Sequence, residues 1–420
     1  MVHAEHHGVD EKCTRSETSL QRSTKTPFHG MLRPIFAWGN AVISSKPLVI
    51  DLFSGCGGLG LGAELAGFHS LAAVDIDSDL QSAYKLNFPL TQTINTDLAK
   101  LGRQEWDSIL DGARIDGIIG GPPCQGFSRI GLRKSDDPRN ALLGQYFKQI
   151  RLLKPRFFLM ENVEGLLDEK NKATLEAALE LIPNNYTVVG PVKINALDCG
   201  AATSRKRVVI IGIDSSSMNL LSEQELISSL IKKPTTVREA ISDIPSPSGI
   251  GGGYSKTFSW ERYRSSDLDL SDYAKSMRNM PPKGLGAKIS LEQLVHGKIS
   301  GVINTKHTPV VIERFSETRP GEVEAVSRYP RLSWGGYCPT LRAGTGSDKG
   351  SFQAMRPIHP SEPRVITVRE AARLQGFPDW FLFHPTMWHS FRMIGNSVSP
   401  MMSRHLMSII AGKLENKAAA

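Results

Sequence analysis

One thiol in this chain stands where a thiol can react. Cys124 lies in the run Gly120-Gly121-Pro122-Pro123-Cys124-Gln125-Gly126-Phe127-Ser128. A lone cysteine is more often a small buried apolar residue than a nucleophile. Here two prolines stiffen the backbone before it, a strand-like segment precedes them, and polar Gln125 and Ser128 follow. Those features favour a nucleophile. A free thiol titrates near pH 8.5, so nearby cations or a helix N-terminus are needed to raise its thiolate share. The five cysteines, at 13, 56, 124, 199 and 338, form no CxxC pair or Cys/His cluster. Neither a disulfide framework nor a metal site is expected.

A second chemistry is written in Gly55-Cys56-Gly57-Gly58-Leu59-Gly60, which has GxGxxG spacing after a strand and before a helix. Such a loop turns sharply and lets the backbone approach a ligand. Asp75 ends the next strand, 20 residues after Gly55, where a carboxylate can accept from both ribose hydroxyls. Asp97 follows a third strand and can hold an adenine amino group. The pattern predicts an adenosine-containing cofactor without separating a nicotinamide dinucleotide from S-adenosylmethionine. Glu161 ends a strongly apolar strand, where a carboxyl can stay partly protonated. Arg205 and Arg207, two residues apart, share one face of an extended segment. Taken alone, the two arginines read as solvated surface charges.

These residues need a frame. Leu48–Phe53, Leu71–Asp75, Ile115–Ile119, Arg156–Met160 and Arg207–Ile211 read as strands, with helical periodicity over Leu142–Leu153 and Lys172–Leu181 between them. Strands alternating with helices predict a doubly wound, mostly parallel α/β sheet covered on both faces. Sites in such sheets open beyond the carboxyl ends of the strands, so the glycine loop and Cys124 should share one cleft. The pattern breaks after Ile244 at Pro245-Ser246-Pro247, followed by Gly251-Gly252-Gly253, which reads as a hinge. Residues 246–345 hold 14 Lys/Arg against 9 Asp/Glu, with Trp260, Trp334 and several tyrosines. They are read as an irregular, basic recognition module. A helix is expected over Thr367–Leu374 and another after Pro400. Four parts result: an extension, 1–46; a catalytic and cofactor-binding domain, 47–245; a target-recognition domain, 246–388; and a segment, 389–420, returning to the first domain.

Composition narrows the class. The chain has 420 residues, 22% charged and 40% apolar, which suits an ordinary folded protein. The net charge of +8 mildly favours a polyanionic partner. No apolar run approaches a membrane span, and no signal-peptide core appears in the first 30 residues, so a cytoplasmic protein is expected.

The loop around Cys124 resembles the catalytic loop of the DNA (cytosine-5)-methyltransferases, and the other motifs of that family follow in its order. Asp51-Leu52-Phe53-Ser54-Gly55-Cys56-Gly57-Gly58 is similar to the cofactor loop, Glu161-Asn162-Val163 to the Glu-Asn-Val motif, and Arg205-Lys206-Arg207 to the Arg-x-Arg motif. Arg369–Pro378 and Ile394-Gly395-Asn396-Ser397-Val398 complete the set over residues 47–412. The chain departs from the family at Ala202-Thr203, where Pro-Gln is usual, and at Asp75-Ile76, where Glu-Trp is frequent. The first departure bears on loop contacts; the second removes a stacking ring beside the ribose.

The resemblance implies S-adenosylmethionine as cofactor and duplex DNA as substrate, with the target cytosine rotated out of the helix. Cys124 would then be the nucleophile at carbon 6, Glu161 the residue holding ring nitrogen 3 and the amino group, and Arg207 the partner of the base carbonyl. Arg205 would face the phosphate backbone, and Asn162 would order the loop. The cofactor pocket would comprise Phe53, Gly55, Gly58, Leu59, Asp75, Ile76, Asp97, Leu98, Pro123, Leu142, Asn396 and Ser397. Ser128, Arg129, Arg133, Lys134 and Arg139 would close over DNA and meet phosphates. Thr340-Leu341 resembles the end of the target-recognition region. The compact plan suggests a bacterial restriction–modification enzyme, monomeric and metal-free, paired functionally with an endonuclease without a stable complex. A tRNA cytosine-5 methyltransferase is the alternative, although that branch's Cys-Phe-Thr tripeptide is absent. A nicotinamide-dependent oxidoreductase leaves the later motifs unexplained.

Overall fold

The computed structural model describes residues 46–123, 140–230, 233–248, 257–264, 270–343 and 356–415. Continuous apolar runs make the central strands, as expected of strands buried on both faces. The strands are β1 (Leu48–Leu52), β2 (His69–Asp75), β3 (Gln92–Asn95), β4 (Gly117–Gly120), β5 (Phe157–Val163), β6 (Tyr186–Asn195) and β7 (Lys206–Asp214), with the more polar β3 and β6 at the two edges. They form one sheet in the order β3-β2-β1-β4-β5-β7-β6. Pairings from β3 through β5 are parallel. β7 runs antiparallel to both β5 and β6.

Alternation along each strand sends neighbours to opposite layers. Val49, Ile119 and Leu159 join one core, which includes Ala63 of the helix Gly58–Leu65 and Met402, Leu406 and Ile410 of the helix Pro400–Glu415. Ile50, Ile118 and Phe158 join the other, with Trp106, Tyr146, Phe147 and Leu175 from the helices Arg103–Leu110, Asn140–Leu153 and Lys172–Leu179. The sheet is therefore doubly wound, as the alternating sequence pattern predicted.

Several elements went unread in the sequence, among them the helices Ser78–Asn87 and Arg103–Leu110, one edge strand and one helix near the site. β6 is an edge strand whose run is broken by Gly190-Pro191, and its side chains alternate between buried and exposed. The helix Met387–Asn396 ends within the Gly-Asn-Ser motif, with Gly395 and Asn396 in its last turn and Ser397 as its C-cap. The expected helix near 367 runs Val368–Gln375, with Thr367 and Glu370 forming a reciprocal capping box.

Within the basic region the described residues form short elements: a ladder of Trp260–Arg262 with Lys298–Ser300, and helices Asp272–Arg278, Lys288–Val295 and Pro309–Glu317. Arg369 ties the helix Val368–Gln375 to this region, donating to the Ser300 carbonyl at 2.9 Å and to Ser300 Oγ at 3.0 Å, while the buried ion pairs of the same helix run to residues flanking the region. Arg373 is fully buried, with Nε 2.6 Å from Asp379 Oδ1 and Nη2 3.0 Å from Asp243 Oδ2. Burial alone would weaken the Arg373 charge, but the two carboxylates hold it firmly protonated.

Candidate active site

The carboxyl ends of β1, β2, β4 and β5 bring the predicted residues to one edge of the sheet. The loop after β1 is tightly wound: Phe53 and Gly55 have φ of 54° and 55°. A non-glycine residue in that region is uncommon, so Phe53 marks a conformation imposed by its surroundings. Asp75, at the end of β2, fixes this loop. Its Oδ2 accepts from the Gly55 N–H at 2.8 Å and its Oδ1 from the Asp77 N–H at 2.8 Å. Burial raises the Asp75 carboxyl above its ordinary range, while those two donors work against the rise.

Gly58 shows why this position excludes a side chain. A Cβ there would stand 1.9 Å from Ser397 Oγ and 2.3 Å from the Val398 carbonyl. The C-terminal segment therefore packs directly on the glycine loop, as the distant Asn396-Ser397 pair was expected to do. Ser403 Oγ donates to the Leu59 carbonyl at 2.5 Å, tying the helix Pro400–Glu415 to the helix below.

A nucleoside-bearing cofactor fits the groups left open here. Ile76 is 70% exposed, Pro123 and Asn396 are exposed, and Asp97 is half-buried, with Oδ1 accepting from Ala99 N–H. Carboxylate acceptors beside exposed apolar surface suit ribose hydroxyls and an adenine. Leu59 and Leu98 are buried, and Phe53 and Leu142 half-buried, in the walls behind. Beneath the loop lies Asp51, fully buried, whose Oδ2 accepts from Tyr84 Oη at 3.3 Å. Its Oδ1 has no hydrogen-bond partner among the described residues. Burial pushes this carboxyl up to about 8, against the hydrogen bond from Tyr84.

The second half of the site is an ion pair. Arg207 Nε lies 2.7 Å from Glu161 Oε1, and both side chains are about nine-tenths buried. The register makes this contact: Val163 faces Arg207 across β5 and β7, so Glu161 meets it diagonally on the same face. Beside them, a Cβ at Gly121 would be 3.1 Å from Glu161 Oε2, so the chain leading to Pro123 runs past this carboxylate. Asn162 Nδ2 donates to the Pro122 carbonyl at 3.2 Å and its Oδ1 accepts from Val163 N–H, ordering that chain as expected. Cys124 itself lies outside the described residues. So do Ser128, Arg129, Arg133, Lys134 and Arg139, residues 1–45, and residues 249–256 of the expected hinge.

Arg205 departs from its expected place. It is 2% exposed, and its guanidinium donates to the Leu341 carbonyl at 3.2 Å and the Gly395 carbonyl at 3.0 Å. A group so enclosed does not face a phosphate backbone; it joins three distant segments. The two-residue strand Thr203–Ser204 pairs with Cys338–Pro339, and Thr340 Oγ1 donates to the Ser204 carbonyl at 2.6 Å. The unusual Ala202-Thr203 thus takes part in backbone pairing, with Cys338 N–H donating to the Ala202 carbonyl at 2.9 Å. A small cleft lined by Lys46, Glu64, His69 and Lys283 lies at the amino ends of β1 and β2, the opposite edge of the sheet.

A family model described as C-5 cytosine-specific DNA methylase matches residues 48–411. The chain is 40% identical over 382 residues to Type II methyltransferase M.XorII of Xanthomonas oryzae pv. oryzae, covering 89% of this chain and 86% of that protein. It is 31% identical over 409 residues to Type II methyltransferase M.DdeI of Desulfomicrobium norvegicum, covering 88% and 89%. Among solved structures, a DNA modification methyltransferase encoded within an E. coli prophage matches with a TM-score of 0.78 and 38% identity, over 88% of this chain and 100% of that one. The S. pombe Dnmt2 methyltransferase shares the fold, with a TM-score of 0.52 and 17% identity over 88% of this chain and 99% of that one.

Proposed function

The chain belongs to the C-5 cytosine-specific DNA methylase family and is a DNA cytosine-5 methyltransferase; on that premise we propose that it acts within one short sequence of duplex DNA, through a covalent adduct between Cys124 and a flipped-out cytosine. The observation that carries this reading is the Glu161–Arg207 pair beside Gly121. It puts a carboxylate and a guanidinium at the backbone that leads, three residues on, to the thiol.

Carbon 5 of cytosine is a poor nucleophile. Addition of the Cys124 thiolate to carbon 6 makes carbon 5 an enamine carbon and divides one hard step into easier ones. S-adenosylmethionine held by the glycine loop and Asp75 would supply the methyl group that carbon 5 takes up, its sulfonium sulfur keeping the bonding pair. Loss of the carbon 5 proton then expels the thiolate and restores the ring. Glu161 holds ring nitrogen 3 and the amino group and assists proton transfer, help typically worth roughly a hundred- to ten-thousand-fold. Arg207 fixes that carboxylate and meets the base carbonyl. Arg205 is a positioning residue, locking the Thr340-Leu341 segment and the C-terminal end of the helix Met387–Asn396 onto this edge.

The cofactor pocket is assigned to the glycine loop, Asp75-Ile76, Asp97-Leu98, Pro123, Leu142 and Asn396-Ser397. Residues 47–245 carry catalysis, 246–388 read the target, and 389–420 return to complete the pocket. The relatives' designation as Type II methyltransferases supports a restriction–modification role. In that role the enzyme protects host DNA as a monomer, in the cytoplasm, without a stable endonuclease complex. Among the described residues no helix is long and apolar enough to cross a membrane. The tRNA alternative is not favoured, since the matching family model is that of a DNA methylase.

The test is bisulfite-type sequencing of a plasmid from cells expressing the protein, beside a Cys124→Ser control. Methylated cytosines confined to one motif and absent in the control are expected. No methylation in either, or a Cys124→Ser rate above about a tenth of the unmutated rate, overturns the covalent reading, because loss of a nucleophile should cost far more.

A further inference from the structure

The turn after β2 leaves an apolar side chain standing beside the carboxylate assigned to ribose. Asp75 accepts from the N–H groups of Gly55 and Asp77, and Ile76 between them is 70% exposed. Single exposed aliphatic residues are ordinary. A second feature, from the far end of the chain, makes this one informative.

The helix Met387–Asn396 is fastened to both loops of the proposed cofactor pocket. Cys56 Sγ lies 3.7 Å from the Met393 carbonyl, and the Arg392 guanidinium is paired with Asp77. Asp77 is itself fixed, because its Oδ1 accepts from the N–H groups of Asp79 and Leu80 at the start of the helix Ser78–Asn87. Trp388 precedes Arg392 by four residues, one turn away on the same helix face. Its ring centroid is 5.9 Å from the Arg392 guanidinium carbon, and the His389 ring stands edge-on at 4.7 Å. Although held on two sides, the indole remains 40% exposed. A large rigid ring is thus kept partly bare one helical turn from the arginine that pairs with Asp77, the residue after Ile76.

We propose that Trp388 is a binding residue for the adenine of the cofactor and that Arg392, through Asp77, is its positioning residue. The inference rests on the cofactor reading above. An indole stacks on a purine with little loss of side-chain entropy, since only two torsions are fixed. Ile76 then forms the aliphatic floor of the same nucleoside site, and Asp75 its polar edge.

Titration calorimetry on the full chain tests this, with S-adenosylhomocysteine and adenosine as the probes. Trp388→Ala should weaken both by about tenfold, within the range of base–aromatic stacking. Trp388→Phe, which keeps a ring, should stay within about threefold. Adding Ile76→Trp to Trp388→Ala should recover most of the loss. The proposal is overturned if Trp388→Ala binds S-adenosylhomocysteine as the unmutated chain does, if only S-adenosylhomocysteine and not adenosine is weakened, or if the Phe variant is as weak as the Ala variant. If the unmutated folded chain binds neither probe, the cofactor reading falls, and this inference falls with it.

Discussion

Arg207 Nε and Glu161 Oε1 stand 2.7 Å apart at the end of two antiparallel strands, nine-tenths enclosed by protein. Neither charge is left to solvent. On the proposed reading, a base entering the site would meet a carboxylate whose position the guanidinium has already set. Preorganisation of this kind avoids reorganising groups during the reaction.

Glu161→Gln keeps the shape of this side chain but removes its charge and its use in proton transfer. Turnover should fall at least about a hundredfold. DNA affinity should change only a few-fold. Single-turnover methylation beside a DNA-binding titration separates the two, and equal turnover would remove Glu161 from the acid role.

Arg205→Ala should act on stability first. The substitution strips hydrogen bonds from the Leu341 and Gly395 carbonyls in a site that is 2% exposed. A loss of about 2–4 kcal/mol is expected from buried groups left without their charged partner. Urea unfolding measures it; an unchanged midpoint would mean that the three segments hold together without the guanidinium.

Gly58→Ala adds one methyl group where the Val398 carbonyl and Ser397 Oγ leave no room. Overpacking of this sort costs about 1–3 kcal/mol. Cofactor affinity should fall with it. Ser397→Gly in the same chain should not restore the site, because the Val398 backbone remains in the way. Full restoration would show that the clash is with the hydroxyl alone.

Asp51 gives a pH dependence with a definite sign. Burial puts its folded pKa at about 8, against a reference value of 3.8. Between those values the folded chain binds more protons than the unfolded one, so stability falls as pH rises through that window and levels off above it. The slope is at most about 1.4 kcal/mol per pH unit. Asp51→Asn should flatten the curve between pH 6 and 8, as urea unfolding at a series of pH values would read out. A mutant with the same slope as the parent would assign the effect to another group, such as Asp75, whose shift has the same direction.

What the sequence made legible follows from range. β1, β2 and the glycine loop are local patterns: a short apolar run, a glycine cluster and an acid 20 residues on, which the structure repeats at Leu48–Leu52 and Asp75. The Glu161–Arg207 contact is not local. It depends on β7 running antiparallel to β5 in one register, and nothing in either segment alone states that register. Arg205 misled for the same reason: an arginine is surface by default, and its burial is arranged by carbonyls 136 and 190 residues away. β6 was hidden by Gly190-Pro191, which interrupts the pattern of an edge strand. The Arg392–Asp77 pair spans 315 residues and left no sequence signal.

The packing of the helix Pro400–Glu415 on Leu59 has a consequence in time. The glycine loop emerges early in synthesis, while Ser403, which bonds to it, follows 344 residues later. At bacterial and eukaryotic elongation rates that interval is roughly 17–70 s. During it the nascent chain lacks the segment that packs on Gly58 and Leu59, so on the proposed reading its cofactor pocket stays unfinished until the last helix is made.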